Sequence, residues 1–383
     1  MGSENLKQAF IDVFGVVPLL FKSPGRINII GEHTDYNGGF VLPAAINKAV
    51  YIAISKRADD EIHLYSKSYQ QSCVSSTRNI AKTETGWANY ILGVANEFVK
   101  AGYEVAGFNL YVDGDVPLGS GLSSSAAVEC ATACALNHIN NLGIAKMDLA
   151  LLSQQAEHLF AGVNCGIMDQ FASVFGKKDH AILLDCRSME YEYTPLNLDG
   201  YKLVLLNTNV KHSLSDSAYN NRREQCEQGV AWVREYVPSV TSLRDVELSM
   251  LEKYVKPQGQ DVYNKCRYVV EEIERVQTAV VKLRDGNLQA LGELMFETHD
   301  GLSKDYQVSC KELDFLVDQV RNLDFVLGAR MMGGGFGGCT INILKDEEID
   351  ALIEKLSKLY LETFGLSLGS YVVETADGSG MIS

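Results

Sequence analysis

Hydrophobic and polar positions along this chain recur with two different spacings. Phe108, Leu110 and Val112 alternate with polar neighbours, which is typical of a half-buried strand, whereas Val128 and Thr132 begin a run at helical spacing. Strand-like runs occur at 19–30, 49–57, 61–66, 180–185, 201–207 and 370–374. Helical patterns occur at 87–100, 148–161, 166–175, 217–236, 261–284, 287–299, 311–322 and 346–364.

The order of these elements favours the α+β class. Strands and helices do not alternate strictly, as they would in a doubly wound sheet, and long helices dominate from residue 217 onward. A chain of 383 residues is long enough for two domains with buried cores. The sequence therefore predicts two domains, 1–195 and 196–383, divided near Pro195.

Composition and charge narrow the range of partners and locations. A net charge of −15 disfavours nucleic acids and anionic membranes as partners. Nine cysteines without C-x-x-C spacing predict packed thiols in a reducing compartment rather than a disulfide framework. The sequence shows neither a leader pattern nor an apolar run of membrane-spanning length, so we expect a cytoplasmic protein.

The strongest chemical signal is a loop of small residues at 116–127, which connects a predicted strand to a predicted helix. We call residues 119–125 the serine loop; its glycines and serines would present backbone N–H groups and a helix dipole to an anion. No lysine follows the glycines, so this is not a P-loop. From the residues alone, phosphate binding and ordinary helix capping by serine are equally good interpretations.

Two further segments carry unusual chemistry. In 23–39 an apolar run ends at Gly31, and Glu32, His33 and Asp35 follow at once, as a sugar site or a solvated turn would require. Segment 331–339 contains five glycines and formally matches G-x-G-x-x-G, but a strand-like run follows it, which excludes a dinucleotide-binding motif. Its glycines either let a loop approach a site closely or form a tight turn.

These segments, in this order and spacing, resemble the three motifs of the GHMP family of small-molecule kinases. Residues 25–36 resemble the signature of the branch that phosphorylates galactose, 164–170 resemble its catalytic-base region, and 219–226 resemble a further block of that branch. The resemblance covers essentially the whole chain. It implies an N-terminal ribosomal-protein-like domain, a C-terminal ferredoxin-like domain, and an active site between the two.

The resemblance also implies an activity, which is phosphorylation of α-D-galactose at the C1 hydroxyl by ATP with Mg²⁺. The implied partners are those two small molecules, without nucleic acid, membrane or an obligate protein partner. Asp169 matches the base that takes the C1 proton, and Arg26 matches the cation beside it. Without the resemblance, Asp169 would be assigned to capping the helix at 166–175, and Arg26 to a surface ion pair.

The matched positions imply the remaining site residues. The expected sugar contacts are Glu32, His33, Thr34, Asp35, Gly166, Asp169 and Tyr219. The expected ATP contacts are Trp87, which would stack on adenine, and Gly119, Ser120, Gly121, Leu122, Ser123, Ser124 and Ser125. The expected Mg²⁺ ligands are Ser125 and Glu157. The alternatives are packing roles for Trp87 and Tyr219, and an exposed surface position for Glu157.

Two other functions fit the same motifs. A kinase for a related sugar such as N-acetylgalactosamine would need a larger pocket around C2. A non-catalytic sugar sensor would bind ligand without turnover, and such proteins can lack the small Ser-Ala pair that follows the serines. Here Ser125 and Ala126 are present together with Asp169 and Arg26, which favours an enzyme.

Overall fold

The computed structural model of this chain describes residues 3–117, 119–210 and 215–382, so Leu118 beside the serine loop lies outside the described residues. The α-helices are α1 (Ser3–Phe14), α2 (Ala88–Lys100), α3 (Ser124–Ile139), α4 (Lys146–Ala156), α5 (Met168–Phe175), α6 (Ser215–Arg234), α7 (Leu248–Met250), α8 (Gln260–Arg284), α9 (Leu288–Asp300), α10 (Lys311–Val320) and α11 (Ile349–Phe364). Turns of π-helix at Glu157–Ala161, Leu251–Val255 and Gly301–Asp305 extend α4, α7 and α9.

The structure also contains thirteen β-strands in its described ranges, and this mixture of helices and sheets confirms the predicted α+β class. They are β1 (Leu19–Asn28), β2 (Phe40–Val41), β3 (Pro43–Lys56), β4 (Glu61–Ser66), β5 (Gln71–Ser76), β6 (Phe108–Gly114), β7 (His180–Asp185), β8 (Tyr191–Pro195), β9 (Tyr201–Asn207), β10 (Val326–Met331), β11 (Cys339–Lys345), β12 (Gly369–Val373) and β13 (Gly380–Ile382). They form sheets of six, four and three strands within the described ranges.

The six-stranded sheet, in the order β13-β1-β3-β6-β4-β5, carries the largest core. Helix α3 packs directly on β1 and β3. Its sequence is rich in alanine, and Ala127, Ala131 and Ala135 are fully buried, so the helix backbone lies close to the sheet. This close approach brings the start of α3, and with it the serine loop, over β1.

The four-stranded sheet has the order β10-β11-β9-β12, and all its neighbours are antiparallel. In chain order, helices separate β9 from β10 and α11 separates β11 from β12, while the 331–339 glycines join β10 to β11. This is the ferredoxin-like arrangement that the resemblance implied for the second domain. The sheet presents its glycine turn towards the serine loop, because an added Cβ at Gly333 would lie 3.2 Å from the Gly121 carbonyl oxygen.

The C-terminal strand does not pair within the four-stranded sheet. Strand β13 leaves the second domain and pairs with β1 in the first sheet, with Leu20 opposite Ile382. The segment before it is also held there, since Thr375 bridges Ile46. The sequence missed β13 because three residues with one alternation carry no periodic signal. The boundary near Pro195 itself stays a prediction.

No helix in the described part of the chain has the length and apolar character needed to cross a bilayer.

Candidate active site

An ion pair between buried Arg26 and partly buried Asp169 lies at the centre of the site. The Arg26 guanidinium, on β1, donates from Nε to Asp169 Oδ1 at 2.6 Å and from Nη2 to Oδ2 at 2.9 Å. Its Nη1 donates to the Gly121 carbonyl oxygen at 2.5 Å. Burial opposes the charge of Arg26, but the carboxylates of Asp169 and Glu32 outweigh that effect and raise its pKa. Asp169 is thus a fixed carboxylate and not a cap of α5.

The serine loop contacts this pair directly. Ser123 has a left-handed backbone, with φ of 56°, and its hydroxyl donates to Asp169 Oδ2 instead of capping α3. The first turn of α3 therefore has no side-chain cap from this serine. Its free N–H groups and the helix dipole remain available to an anion. This geometry favours phosphate binding over the capping alternative.

A cavity of about 300 Å³ opens beside the serine loop, within the size range of small-molecule pockets. Trp87 and Tyr69 form one wall, with ring planes 9° from parallel and centroids 6.4 Å apart. Gly119, Ser124 and Ser125 also line this cavity. A cavity that combines flat aromatic rings with residues of an anion-binding loop is suited to a nucleotide; stacking of Trp87 on adenine stays a prediction.

Two expected ATP-contacting residues have their side chains turned into the protein. Ser120 is fully buried and donates its hydroxyl to the Pro117 carbonyl oxygen at 2.6 Å. Leu122 is 1% exposed, and its carbonyl oxygen accepts from the backbone N–H of Arg26 at 3.2 Å. These two residues shape the loop, and only their backbone groups remain for a ligand.

A second cavity, smaller than the first, is lined by Asp169. Its lining includes Arg26, Glu32, His33, Asp35, Glu157, Gly166, Asp169, Tyr219, Gly333 and Gly334. The structure thus brings together six of the seven expected sugar residues. Thr34 is the exception, because its buried hydroxyl donates to the carbonyl oxygens of Gly31 and Phe40 at 2.9 and 2.6 Å. Thr34 holds the turn that presents its neighbours.

The titratable groups of this second cavity are strongly perturbed. Burial, reinforced by the charge of Asp169, raises the pKa of Asp35 to about 6. Burial lowers the pKa of His33 to about 4, so its ring is neutral near pH 7. His33 Nδ1 lies 2.7 Å from the Tyr36 hydroxyl, and its ring contacts Tyr219 with centroids 5.3 Å apart. Such a mixture of acceptors and aromatic rings is typical of sugar sites.

Ser125 lines the first cavity and Glu157 lines the second. The Ser125 side chain donates a hydrogen bond to the Glu157 carboxylate, which also accepts from Gln170 Nε2 at 2.6 Å. Burial and then the charge of Asp169 raise the pKa of Glu157 to about 6. Glu157 is 7% exposed, so it is not the solvated helix residue of the alternative interpretation. A hydroxyl and a carboxylate in contact are a suitable pair of Mg²⁺ ligands.

Three buried residues of this region were not identified from the sequence. Arg330 on β10 reaches Glu32, while Gln170 Nε2 bridges Glu157 and Glu129, with 3.2 Å to Glu129 Oε2. Two of the three interrupt an apolar pattern: Arg330 within a buried strand and Glu129 within an alanine-rich helix. A charged residue at a core position was the available signal, since such groups are buried only when paired.

Comparison with known families agrees with this geometry. Residues 8–56 match the galactokinase galactose-binding signature, 89–177 match the N-terminal domain of GHMP kinases, and 279–361 match their C-terminal domain. The galactokinase of Thermotoga petrophila is 43% identical over 93% of this chain and 98% of its own length. The galactokinase of Clostridium perfringens is 40% identical over 99% of both chains.

Solved structures show the same relationship. The crystal structure of Lactococcus lactis galactokinase complexed with galactose is 35% identical, with a TM-score of 0.95 over 99% of both chains. Methanococcus jannaschii mevalonate kinase shares the fold at 18% identity, with a TM-score of 0.67 over 94% of this chain and 99% of its own.

Proposed function

This chain belongs to the galactokinases of the GHMP kinase family, and from that premise we propose that the site around Asp169 transfers the γ-phosphoryl group of ATP to the C1 hydroxyl of α-D-galactose. The products are galactose 1-phosphate and ADP. The observation that carries the assignment of roles is the Arg26–Asp169 pair, which lines the cavity of sugar-type acceptors and is hydrogen-bonded to Gly121 and Ser123 of the serine loop. Other residues of that loop line the cavity with the aromatic wall. The expected cytoplasmic location stays a prediction.

Asp169 acts as the general base. Its carboxylate faces the sugar cavity and takes the proton of the C1 hydroxyl as that oxygen attacks the γ-phosphorus. Arg26 holds Asp169 in place through bonds to both carboxylate oxygens, and its Nη1 donates to the Gly121 carbonyl oxygen, which fixes the guanidinium against the loop. The same cation stabilises negative charge on the phosphoryl oxygens, which is the main catalytic need of this reaction.

The serine loop binds the triphosphate. Backbone N–H groups at the start of α3 supply donors to phosphate oxygens, and the cavity beside Trp87 holds adenine. Ser125 and Glu157 would hold Mg²⁺, since they offer the one hydroxyl and one carboxylate that this ion takes alongside phosphate oxygens. When bound, the ion neutralises charge on the β- and γ-phosphates.

A panel of sugars tests the activity. ADP release is measured by a coupled assay with galactose, 2-deoxygalactose, N-acetylgalactosamine, glucose and arabinose. We expect kcat/KM for galactose to exceed that for glucose at least tenfold, because a misplaced C4 hydroxyl leaves buried acceptors such as Asp35 unpaired. The preference should shrink in Asp35→Ala. Equal kcat/KM for the two sugars in the wild type would contradict the assignment, and a preference for N-acetylgalactosamine would favour the related-sugar kinase.

The metal role of Ser125 has its own test. Ser125→Ala should raise the Mg²⁺ concentration for half-maximal rate about tenfold, because an ion with few protein ligands loses one of them. A Mg²⁺ titration of the rate measures this, and calorimetry of galactose binding serves as a readout that should not change. The matched control is Ser153→Ala on α4, whose hydroxyl donates to Leu149 O at 2.8 Å and touches neither cavity. An unchanged Mg²⁺ requirement in Ser125→Ala would remove this residue from the metal site.

A further inference from the structure

Arg330 is a fully enclosed charged side chain near the site. It lies on β10 in the four-stranded sheet and is 0% exposed. Its Nε donates to the Ile29 carbonyl oxygen at 3.0 Å, Nη1 donates to Met331 O at 2.6 Å, and Nη2 donates to Asn28 O. Both terminal nitrogens also donate to Glu32 Oε1 at 3.1 Å. One guanidinium thus joins the end of β1 in the first domain to the second domain.

Glu32 is held by one oxygen and leaves the other for a ligand. Oε1 accepts both Arg330 bonds and a third from the Gly333 N–H at 2.8 Å, so its lone pairs are occupied. Oε2 accepts one bond, from Asn28 Nδ2 at 3.0 Å, and keeps capacity for a second. Glu32 is 1% exposed and lines the sugar cavity, so that second partner comes from the cavity.

We propose that Arg330 is a positioning residue for sugar recognition: it fixes Glu32 so that Oε2 alone accepts a galactose hydroxyl. The inference rests on the proposed function. It makes sugar affinity depend on contact between the two domains, because neither β1 nor β10 by itself orients the carboxylate. A Lys at 330 would keep the positive charge, but the three donors of its single nitrogen cannot replace the planar fork that makes two bonds to Oε1 and reaches three carbonyl oxygens as well.

A second buried pair nearby supplies the matched control. Glu272 on α8 is fully buried, is paired with Arg275, and accepts the Gly31 N–H at 2.9 Å. It therefore holds the same segment of chain as Arg330 does, but it does not line the sugar cavity. Arg→Lys at position 330 or at position 275 should lower the stability of the protein, because each arginine helps to hold this segment of chain. A change in sugar affinity should follow only at position 330.

The experiment compares Arg330→Lys, Arg275→Lys and the wild type in the coupled assay and by calorimetry with galactose. We expect Arg330→Lys to raise the galactose KM and Kd about tenfold or more, as loss of a charged hydrogen bond does, with the ATP KM close to wild type. Arg275→Lys should lower the melting temperature without this change. Equal effects of the two variants on galactose, or a fall in kcat alone, would overturn the proposal.

The activity of the wild type distinguishes a failure of this inference from a failure of the proposed function. A wild type that does not phosphorylate galactose would overturn the proposed function, and the inference with it, whereas an active wild type with an unaltered Arg330→Lys would overturn the inference alone. If Arg330→Lys does not fold, a crystal structure of the wild type with galactose decides. Arg330 should keep Oε1 while Oε2 accepts a sugar hydroxyl; a complex in which the sugar does not touch Glu32 rejects the proposal.

Discussion

Asp169→Asn is expected to lower kcat by about 10²–10⁴-fold, because the amide cannot take the proton of the C1 hydroxyl. The substitution keeps the size of the side chain, and its remaining oxygen still accepts from the Arg26 guanidinium. ATP binding should change little, since the serine loop and the cavity beside Trp87 are not altered. Single-turnover phosphorylation of galactose, with ATP affinity measured by calorimetry, checks both parts.

The control for this variant is Asp148→Asn, the same substitution in the first turn of α4 at an exposed position. Its kcat should equal that of the wild type. Because Arg26 and Ser123 both donate to Asp169, melting curves of each variant are needed to exclude unfolding as the cause. Near-normal turnover in a folded Asp169→Asn protein would show that another group, or water, takes the proton.

Gly166→Ala is expected to lower kcat/KM for galactose by about 10²-fold, the size of effect that follows from a misplacement near 1 Å. A Cβ at this position would lie 1.9 Å from Asp35 Oδ2 and 2.1 Å from its Cγ, so the carboxylate has to move. Asp35 is partly buried and lines the sugar cavity, and its displacement also changes its electrostatic interaction with the Asp169 carboxylate. ATP affinity should stay at the wild-type value.

Calorimetry with galactose and with ATP tests this result. Gly380→Ala on β13 is the matched control, because an added Cβ there meets no atom within 4 Å. Unaltered galactose affinity in Gly166→Ala would mean that Asp35 adapts without loss, and the tight contact would then carry no specificity. A parallel loss of ATP affinity would instead indicate that the substitution distorts both cavities and not the sugar cavity alone.

Local patterns in the sequence predicted several strands of the fold. The bounds of β4, β7 and β9 agree with the periodic runs at 61–66, 180–185 and 201–207, because two-residue alternation is a local signal. The roles of Asp169 and Arg26 came from their motifs and stay predictions, yet the structure places the two side chains in contact although 143 positions separate them. Helix capping, the alternative from the residues alone, is not what either Asp169 or Ser123 does.

Other features depend on contacts that no local pattern encodes. Arg330 and Glu32 are 298 positions apart, so their pairing follows from how the two domains pack. Thr34 belongs to the matched motif, but its hydroxyl is occupied by two carbonyl oxygens of its own turn, which only the fold reveals. The 331–339 glycines serve both interpretations at once: they form a tight turn, with positive φ at Gly333 and Gly335, and they bring the Gly333 N–H to Glu32.

The pairing of β13 with β1 has a consequence for synthesis of the protein on the ribosome. Leu20 is synthesised long before Ile382, its partner on β13. The β1 edge of the first sheet therefore stays unpaired until the second domain has been translated. An unpaired edge is a template for wrong strand pairing, and contacts so distant in sequence form slowly. The nascent N-terminal domain therefore passes through an aggregation-prone stage, in which chaperones that shield exposed strands would have the most effect on yield.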